Sequence, residues 1–301
     1  MKRIAFLLSF LIIMVAHGRM FKKVEMIKVP GTDVTDIKLA GVSPTGEYAL
    51  VTTANNVGLS KVMLESGESV RITRALGAGI QPEVSADGKK VIYREVTYGE
   101  NHRRSTALKT ISLEDGACKD LCAPVRRVQP YGFVGEEAYV ISENSSLKSK
   151  SLVSATNQVT VYLKDLQLMV NQGGKETCLS PNGTDVNYLW PSLSPDGRYI
   201  LYYVSEKGAY VCNLDGSGVK FIAYDCRAPQ WYDNNTVVGM NDKDNGQTVL
   251  TSSIVAYTLD GESQSLTEET ACLMYPYCVA EKNMIVCSSL AGGLYCLMLD
   301  R

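Results

Sequence analysis

Trp190-Pro191-Ser192-Leu193-Ser194-Pro195-Asp196-Gly197-Arg198-Tyr199-Ile200 reads as a strand, a tight turn and the start of a second strand. Gly takes the positive-φ position of such a turn at no steric cost, and the Asp side chain accepts hydrogen bonds from nearby amides. The next strand runs to Val204 with Ile200, Tyr202 and Val204 on one face. Ser205-Glu206-Lys207-Gly208 turns the chain into Ala209 to Leu214. Asp215-Gly216-Ser217-Gly218 turns it again into Val219 to Ala223. The result is a meander of four antiparallel strands.

The same order recurs along the chain. Pro191 stands three residues ahead of its turn, and Pro82, Pro130, Pro229 and Pro276 hold corresponding places, with Ala40 at the front of the series. The matching turns are Ser43-Pro44-Thr45-Gly46, Ser85-Ala86-Asp87-Gly88 and the degenerate Tyr232-Asp233-Asn234-Asn235. Six units spaced 38 to 61 residues apart mark a repeat architecture, in which no single small sheet can bury its own faces. With 301 residues and 45% hydrophobic content, the fold expected is one all-β domain, a six-bladed β-propeller of four-stranded antiparallel blades.

The later strands are expected at Gly46–Thr53, Ser60–Leu64 and Ser69–Thr73 in the first unit. Lys90–Val96, Ala107–Leu113 and Cys118–Cys122 are their counterparts in the second. The third unit carries an insertion around Ser142 to Ser154 and a long Val159 to Val170 segment. The fifth places Thr236–Asn241 and Thr248–Leu259 around the polar loop Asp242 to Gln247. The last unit runs out of chain after three strands, which would leave an open sheet edge. Lys23 to Val29 supplies the missing strand, so the N-terminal strand is expected to close the last blade.

Residues 1–18 are set apart from the propeller, which occupies 19–301. Lys2 and Arg3, the apolar run Ile4 to Ala16 and the small residues of Ala16-His17-Gly18 have the layout of a signal peptide. The run is short of the roughly 20 residues that span a bilayer. This layout predicts an exported, periplasmic or secreted protein with no stable membrane span after cleavage. Without that segment the chain carries 28 basic and 32 acidic side chains, a net charge near −4. Its arginine pairs are isolated, so nucleic acid is not an expected partner.

The repeat Trp190 to Ile200, ending with Leu214-Asp215-Gly216, resembles the WD-like repeat of TolB-type six-bladed propellers. The resemblance spans nearly the whole of 19–301; it is sharp in units one, two and four, whereas three, five and six lack the complete turn. It implies an exported scaffold whose funnel binds other proteins or small ligands. Related propellers also occur as accessory domains of prolyl-oligopeptidase-type peptidases.

Catalytic constellations are scarce. Of the two histidines, His17 lies in the leader and His102 in a polar loop, so a multi-histidine metal site cannot be assembled and a single histidine leaves little for a Ser-His-Asp arrangement. No Gly-x-Ser-x-Gly elbow occurs. Asn241-Asp242-Lys243-Asp244-Asn245-Gly246 has Lys where a calcium loop needs its third oxygen ligand, and reads as a hairpin loop. No cofactor or metal is expected.

Ligand contacts are expected from geometry instead. Residues flanking the inner-strand prolines approach the central channel, which names Gln81, Glu83, Gln129, Tyr131, Trp190, Ser192, Gln230, Tyr275 and Tyr277. These aromatic and amide side chains suit a peptide or glycan, and the aromatics suit packing between blades equally well. The function expected is a non-enzymatic binder of a protein partner or small ligand at the channel mouth. The alternatives are a hydrolase or lyase with an acidic site, and a structural envelope component. Nine cysteines leave at least one thiol outside an intramolecular pair. Cys287 and Cys296 are expected opposite each other across a hairpin, with Cys118 and Cys122 as a second candidate pair and buried hydrophobes as the competing reading.

Overall fold

The computed structural model describes residues 20–33, 37–100, 102–126, 128, 131–140 and 159–301. Strand β1 (Lys23–Lys28) is followed by blade one, formed by β2 (Lys38–Val42), β3 (Tyr48–Thr52), β4 (Val57–Met63) and β5 (Ser69–Leu76). Blade two is β6 (Glu83–Val84), β7 (Lys90–Tyr98), β8 (Arg104–Ser112) and β9 (Cys118–Val125). At the third position the hairpin β10 (Tyr131–Val134)–β11 (Glu137–Val140) precedes residues 141–158. The sheet β12 (Val159–Lys164), β13 (Gln167–Gln172) and β14 (Lys175–Cys178) follows them.

Blade four is β15 (Tyr188–Leu193), β16 (Tyr199–Val204), β17 (Gly208–Asn213) and β18 (Lys220–Ala223). Blade five is β19 (Arg227–Trp231), β20 (Thr236–Asp244), β21 (Val249–Thr258) and β22 (Ser263–Ser265). Blade six is β23 (Leu273–Val279), β24 (Met284–Ser289) and β25 (Leu294–Asp300), with β1 added at its outer edge. Inner strands touch around the axis: β6 meets β2 and β10, β2 meets β23, and β19 meets β23 and β15, while β12 packs on β15. The molecule is a six-bladed all-β propeller.

Both faces of a blade are buried against neighbours, which explains why its second strands, such as β3, β16 and β24, are buried almost throughout. In β16, Ile200, Tyr202 and Val204 pack against Leu168 and Val170 of the third position, while Leu201 faces Trp231 and Val237 of blade five. Buried tyrosines keep a partner for their hydroxyls. Tyr202 donates to Asn182 Oδ1 at 2.7 Å, and Tyr48 donates to the Gly88 carbonyl of the next blade at 2.6 Å.

The repeated turn works as its residue types require. In blade two Ser85 Oγ donates to Asp87 Oδ1 (2.6 Å), and Asp87 Oδ1 accepts from the Lys89 amide (3.0 Å). Blade four repeats this through Ser194, Asp196 and Arg198. The Ser hydroxyls and backbone amides hold the Asp87 and Asp196 carboxyls below their ordinary pKa. In the degenerate turn Asp233 Oδ1 accepts from the amides of Asn235 and Thr236, so the third-residue Ser-Asp pair is replaced by one Asp.

Closure follows the sequence-based expectation. β1 pairs antiparallel with β25, from Lys23 opposite Asp300 to Lys28 opposite Tyr295. Phe21, 1% exposed, sits edge-on to Tyr232 at 5.3 Å, and its amide and carbonyl are both bonded by Gln264. Arg301 lies over both rings and pairs with Asp233. The strand thereby reaches blade five as well as blade six. The leader, residues 1–18, lies outside the described residues.

Three expectations need revision. The long Val159 to Val170 segment is a hairpin, turned by Asp165 and Leu166, both at positive φ. Cys287 faces Tyr295 and Cys296 faces Val286, so this one-residue offset sends the two thiols to opposite faces of blade six, into separate cores. Both are free. Cys118 and Cys122 lie on one strand, β9, where four residues span about 13 Å, beyond the roughly 7 Å Cα separation a disulfide tolerates.

Candidate functional site

The inner strands share a backbone irregularity that sequence reading did not anticipate. Gln81, Trp190, Ala228 and Tyr275, each the residue before an inner-strand proline, have φ of +48°, +47°, +48° and +53°. In blades four, five and six the pairing register skips across the same place, between Leu189 and Ser192, Arg227 and Gln230, and Met274 and Tyr277. This is a β-bulge, and proline, with no N–H to leave unpaired, suits it. Left-handed backbone in a non-glycine residue costs about 1–2 kcal/mol, and such strain concentrates at functional sites. Its effect here is to tuck the proline inward and leave its neighbours accessible: Pro82 and Pro276 are buried, whereas Gln81, Glu83 and Tyr275 are exposed.

Four of the expected residues come together. Gln81, Glu83, Tyr131 and Tyr277 gather at one side of the channel with two residues that sequence reading missed, Arg94 and Tyr139. Arg94 Nε donates to Tyr131 Oη at 2.9 Å and Nη2 donates to Gln81 Oε1 at 2.7 Å, with the guanidinium 5.4 Å from the Tyr131 ring centre. Tyr131 donates onward to the Gln81 carbonyl at 2.6 Å. Tyr277 reaches from blade six to the Ala40 carbonyl of blade one at 3.0 Å. The Glu83 charge acts on Tyr131, Tyr139 and Tyr277.

Glu83 is accessible to solvent yet closely surrounded by protein atoms. Those surroundings leave few water molecules to solvate the carboxylate. Desolvation pushes its pKa up to about 7, and Arg94 only partly opposes this. The sign of the consequence is fixed. The native state holds a proton that the unfolded chain releases near the ordinary value of 4.5, so this group's contribution to stability falls as pH rises from about 4.5 to about 7. Thermal melts of the Glu83→Gln variant should be flatter across that window than those of the wild type; parallel curves would refute the shift.

The remaining expected residues are not part of this group. Trp190 packs edge-on to Tyr203 at 5.4 Å. Ser192 accepts from Trp231 Nε1 through its carbonyl at 3.4 Å, while its buried hydroxyl has no partner among the described residues. Gln230 pairs with Val238 in β19–β20, and Tyr275, 37% exposed, points its amide at Met240 Sδ. Gln129 lies outside the described residues. Asp242 and Asp244 converge on Arg227, at 2.9 and 3.9 Å, as a second charged group near Tyr203. Asn245 and Asp244 cap the β20–β21 turn by accepting from backbone amides, consistent with a hairpin loop.

A shallow, polar groove of about 710 Å³ crosses blade five, lined by Asn241, Tyr257, Thr267, Glu268 and Glu269 among others. It includes none of the inner-strand residues. No described helix is long and apolar enough to cross a membrane.

Arg94 was findable. Counting across the Ser85–Gly88 turn, the pairing of Glu83 with Ile92 places Arg94 opposite Gln81. The charged pair Arg94-Glu95 between Val91-Ile92-Tyr93 and Val96 is the signal. Tyr139 had no comparable mark.

No protein-family model matches the chain, nor does any curated protein. Solved structures do. A putative TolB from Agrobacterium tumefaciens matches at TM-score 0.50 and 15% identity, covering 94% of this chain and 100% of that one. TolB from Acinetobacter baumannii matches at 0.50 and 14%, over 77% and 55%. A chain of a mitotic checkpoint complex matches at 0.52 and 10%, over 100% and 99%. At these identities the likenesses show fold alone: the chain is a β-propeller built like TolB-type and other WD-like propellers.

Proposed function

We propose that this protein is an exported, non-enzymatic propeller that binds a protein partner or small ligand through one mouth of its channel. The observation carrying this reading is the convergence of Gln81, Glu83, Arg94, Tyr131 and Tyr277, from three blades, beside a carboxylate that solvent can reach. Repeated left-handed residues at the bulges hold such side chains at the channel, and strain kept in four blades fits a binding surface better than a passive core. TolB-type likeness and the leader-like residues 1–18 support the exported, periplasmic or secreted placement.

Two carboxylates meeting in one pocket would have favoured a hydrolase or lyase. Among the described residues Asp242 and Asp244 are one such pair, both engaged by Arg227; Glu268 and Glu269 are a second, lining the blade-five groove, where Glu269 pairs with Lys243; Glu83 stands apart from both. Bead-bound random heptapeptides provide the test. The wild type should enrich a subset of sequences, and the Glu83→Ala/Trp190→Ala double variant should lose that enrichment. Equal enrichment by both proteins would move binding off the channel.

A further inference from the structure

The chemistry of the channel ligand follows from what is left uncompensated on its wall. Arg94 is committed: one nitrogen serves Tyr131 and another Gln81, and its flat face lies against the Tyr131 ring. Among the described residues no hydrogen bond or ion pair engages the Glu83 carboxylate. The titratable and charged groups facing it are Arg94 on β7, Tyr131 on β10, Tyr139 on β11 and Tyr277 on β23. Tyr277 has spent its proton on the Ala40 carbonyl, and Tyr131 has spent its own on Gln81. What these tyrosines still offer is the electron-rich faces of their rings.

A carboxylate that no hydrogen bond or ion pair engages among the described residues, faced by tyrosines and closely surrounded by protein, is the arrangement that recognises an ammonium group. Building on the channel reading above, we infer that the Glu83 side of the channel takes an alkylammonium group, borne either on a lysine side chain of a partner or on a free polyamine. The cation pairs with Glu83, and its alkyl stem lies against Tyr131, Tyr139 and Tyr277. An anionic ligand has no comparable place, because the one guanidinium at this wall is already shared.

The same geometry makes binding pH-dependent. Glu83 must lose its proton to receive the cation, and its pKa of about 7 means that most copies are protonated at pH 5.5.

The test is a titration with n-pentylammonium chloride, read by amide NMR shifts of the full chain. At pH 8 shifts should cluster at residues 81–94, 131–139 and 277. Apparent Kd should rise more than tenfold at pH 5.5, and n-pentanol should give no saturable shift at either pH. Glu83→Gln should weaken binding at pH 8 at least tenfold. The pH and n-pentanol arms use the wild type alone, so they hold even if that variant is unstable. Tighter binding of a lysine heptapeptide than of spermidine would assign the source as a partner protein; the reverse order would assign a free polyamine. Equal binding of n-pentanol, or pH-independent affinity, overturns the inference. The peptide-bead experiment separates the two readings: channel-dependent enrichment of sequences without lysine would leave the binder standing and remove the ammonium.

Discussion

Deleting residues 20–32 should abolish cooperative thermal unfolding. The segment supplies the outermost strand of blade six and also Phe21, Val29 and Thr32, which are 1% exposed each. Removing Phe21 alone from such a site costs about 3–5 kcal/mol, and losing Val29 adds roughly 2 kcal/mol. Leu294 would lose the Thr32 hydroxyl that accepts from its amide at 3.1 Å, and the freed edge of β25 would face solvent. A total near 6 kcal/mol is comparable with the whole stability of many domains, about 5–15 kcal/mol. Circular dichroism melts decide the matter. A truncated chain that still unfolds in one sharp step within a few degrees of the full chain would show that ring closure does not depend on β1.

That closure was legible in the sequence because it is an accounting problem. Five prolines and their turns count the units, and a last unit with three strands lacks one. Lys23 to Val29 was the unassigned segment with strand composition. Blade four was legible almost to the residue, since every turn in it carries Gly or Asp at the position that needs it. The third position was not, because its elements are separated by an insertion with no turn signature. The hairpin at Asp165-Leu166 bends through left-handed residues other than glycine. Register within hairpins also escaped sequence reading. The β24–β25 loop length left an uncertainty of one residue, and one residue is enough to turn Cys287 and Cys296 to opposite faces.

The channel residues were legible by position but not by partnership. Flanking a proline sufficed to name Glu83, Tyr131 and Tyr277. The bulge beside Glu83 and Tyr277 depends on left-handed backbone that recurs at Gln81, Trp190, Ala228 and Tyr275, which share no residue type and leave no mark in composition. Arg94 lies on the second strand of its blade, so its contact with the channel depends on pairing rather than on proximity to proline. Inner-strand positions are thus set by local sequence, while the charges that tune them come from across the sheet.

Gly67→Ala should destabilise the protein by roughly 3 kcal/mol, lowering its melting temperature by about 5 °C. Gly67 closes the β4–β5 turn at φ +73°, with its amide bonded to the Met63 carbonyl at 2.8 Å. A methyl group at this position would stand 1.9 Å from the Pro30 carbonyl oxygen and 2.6 Å from its carbon. Those atoms are backbone in the segment that leaves β1, so relief requires moving that segment or opening the turn. Gly116 supplies the control. It closes the β8–β9 turn in the same way, bonded to the Ser112 carbonyl at 3.0 Å with φ +72°, but a methyl there meets nothing within 4 Å. Gly116→Ala therefore incurs only the left-handed strain, about 1–2 kcal/mol. The difference between the two variants in urea denaturation isolates the packing of the N-terminal segment on blade one. If blade six alone held that segment, it could swing away from residue 67 at little cost, and the two substitutions would be equally destabilising. A larger loss for Gly67→Ala shows that the N-terminal segment is clamped on both sides, by the β25 ladder and by the blade-one turn.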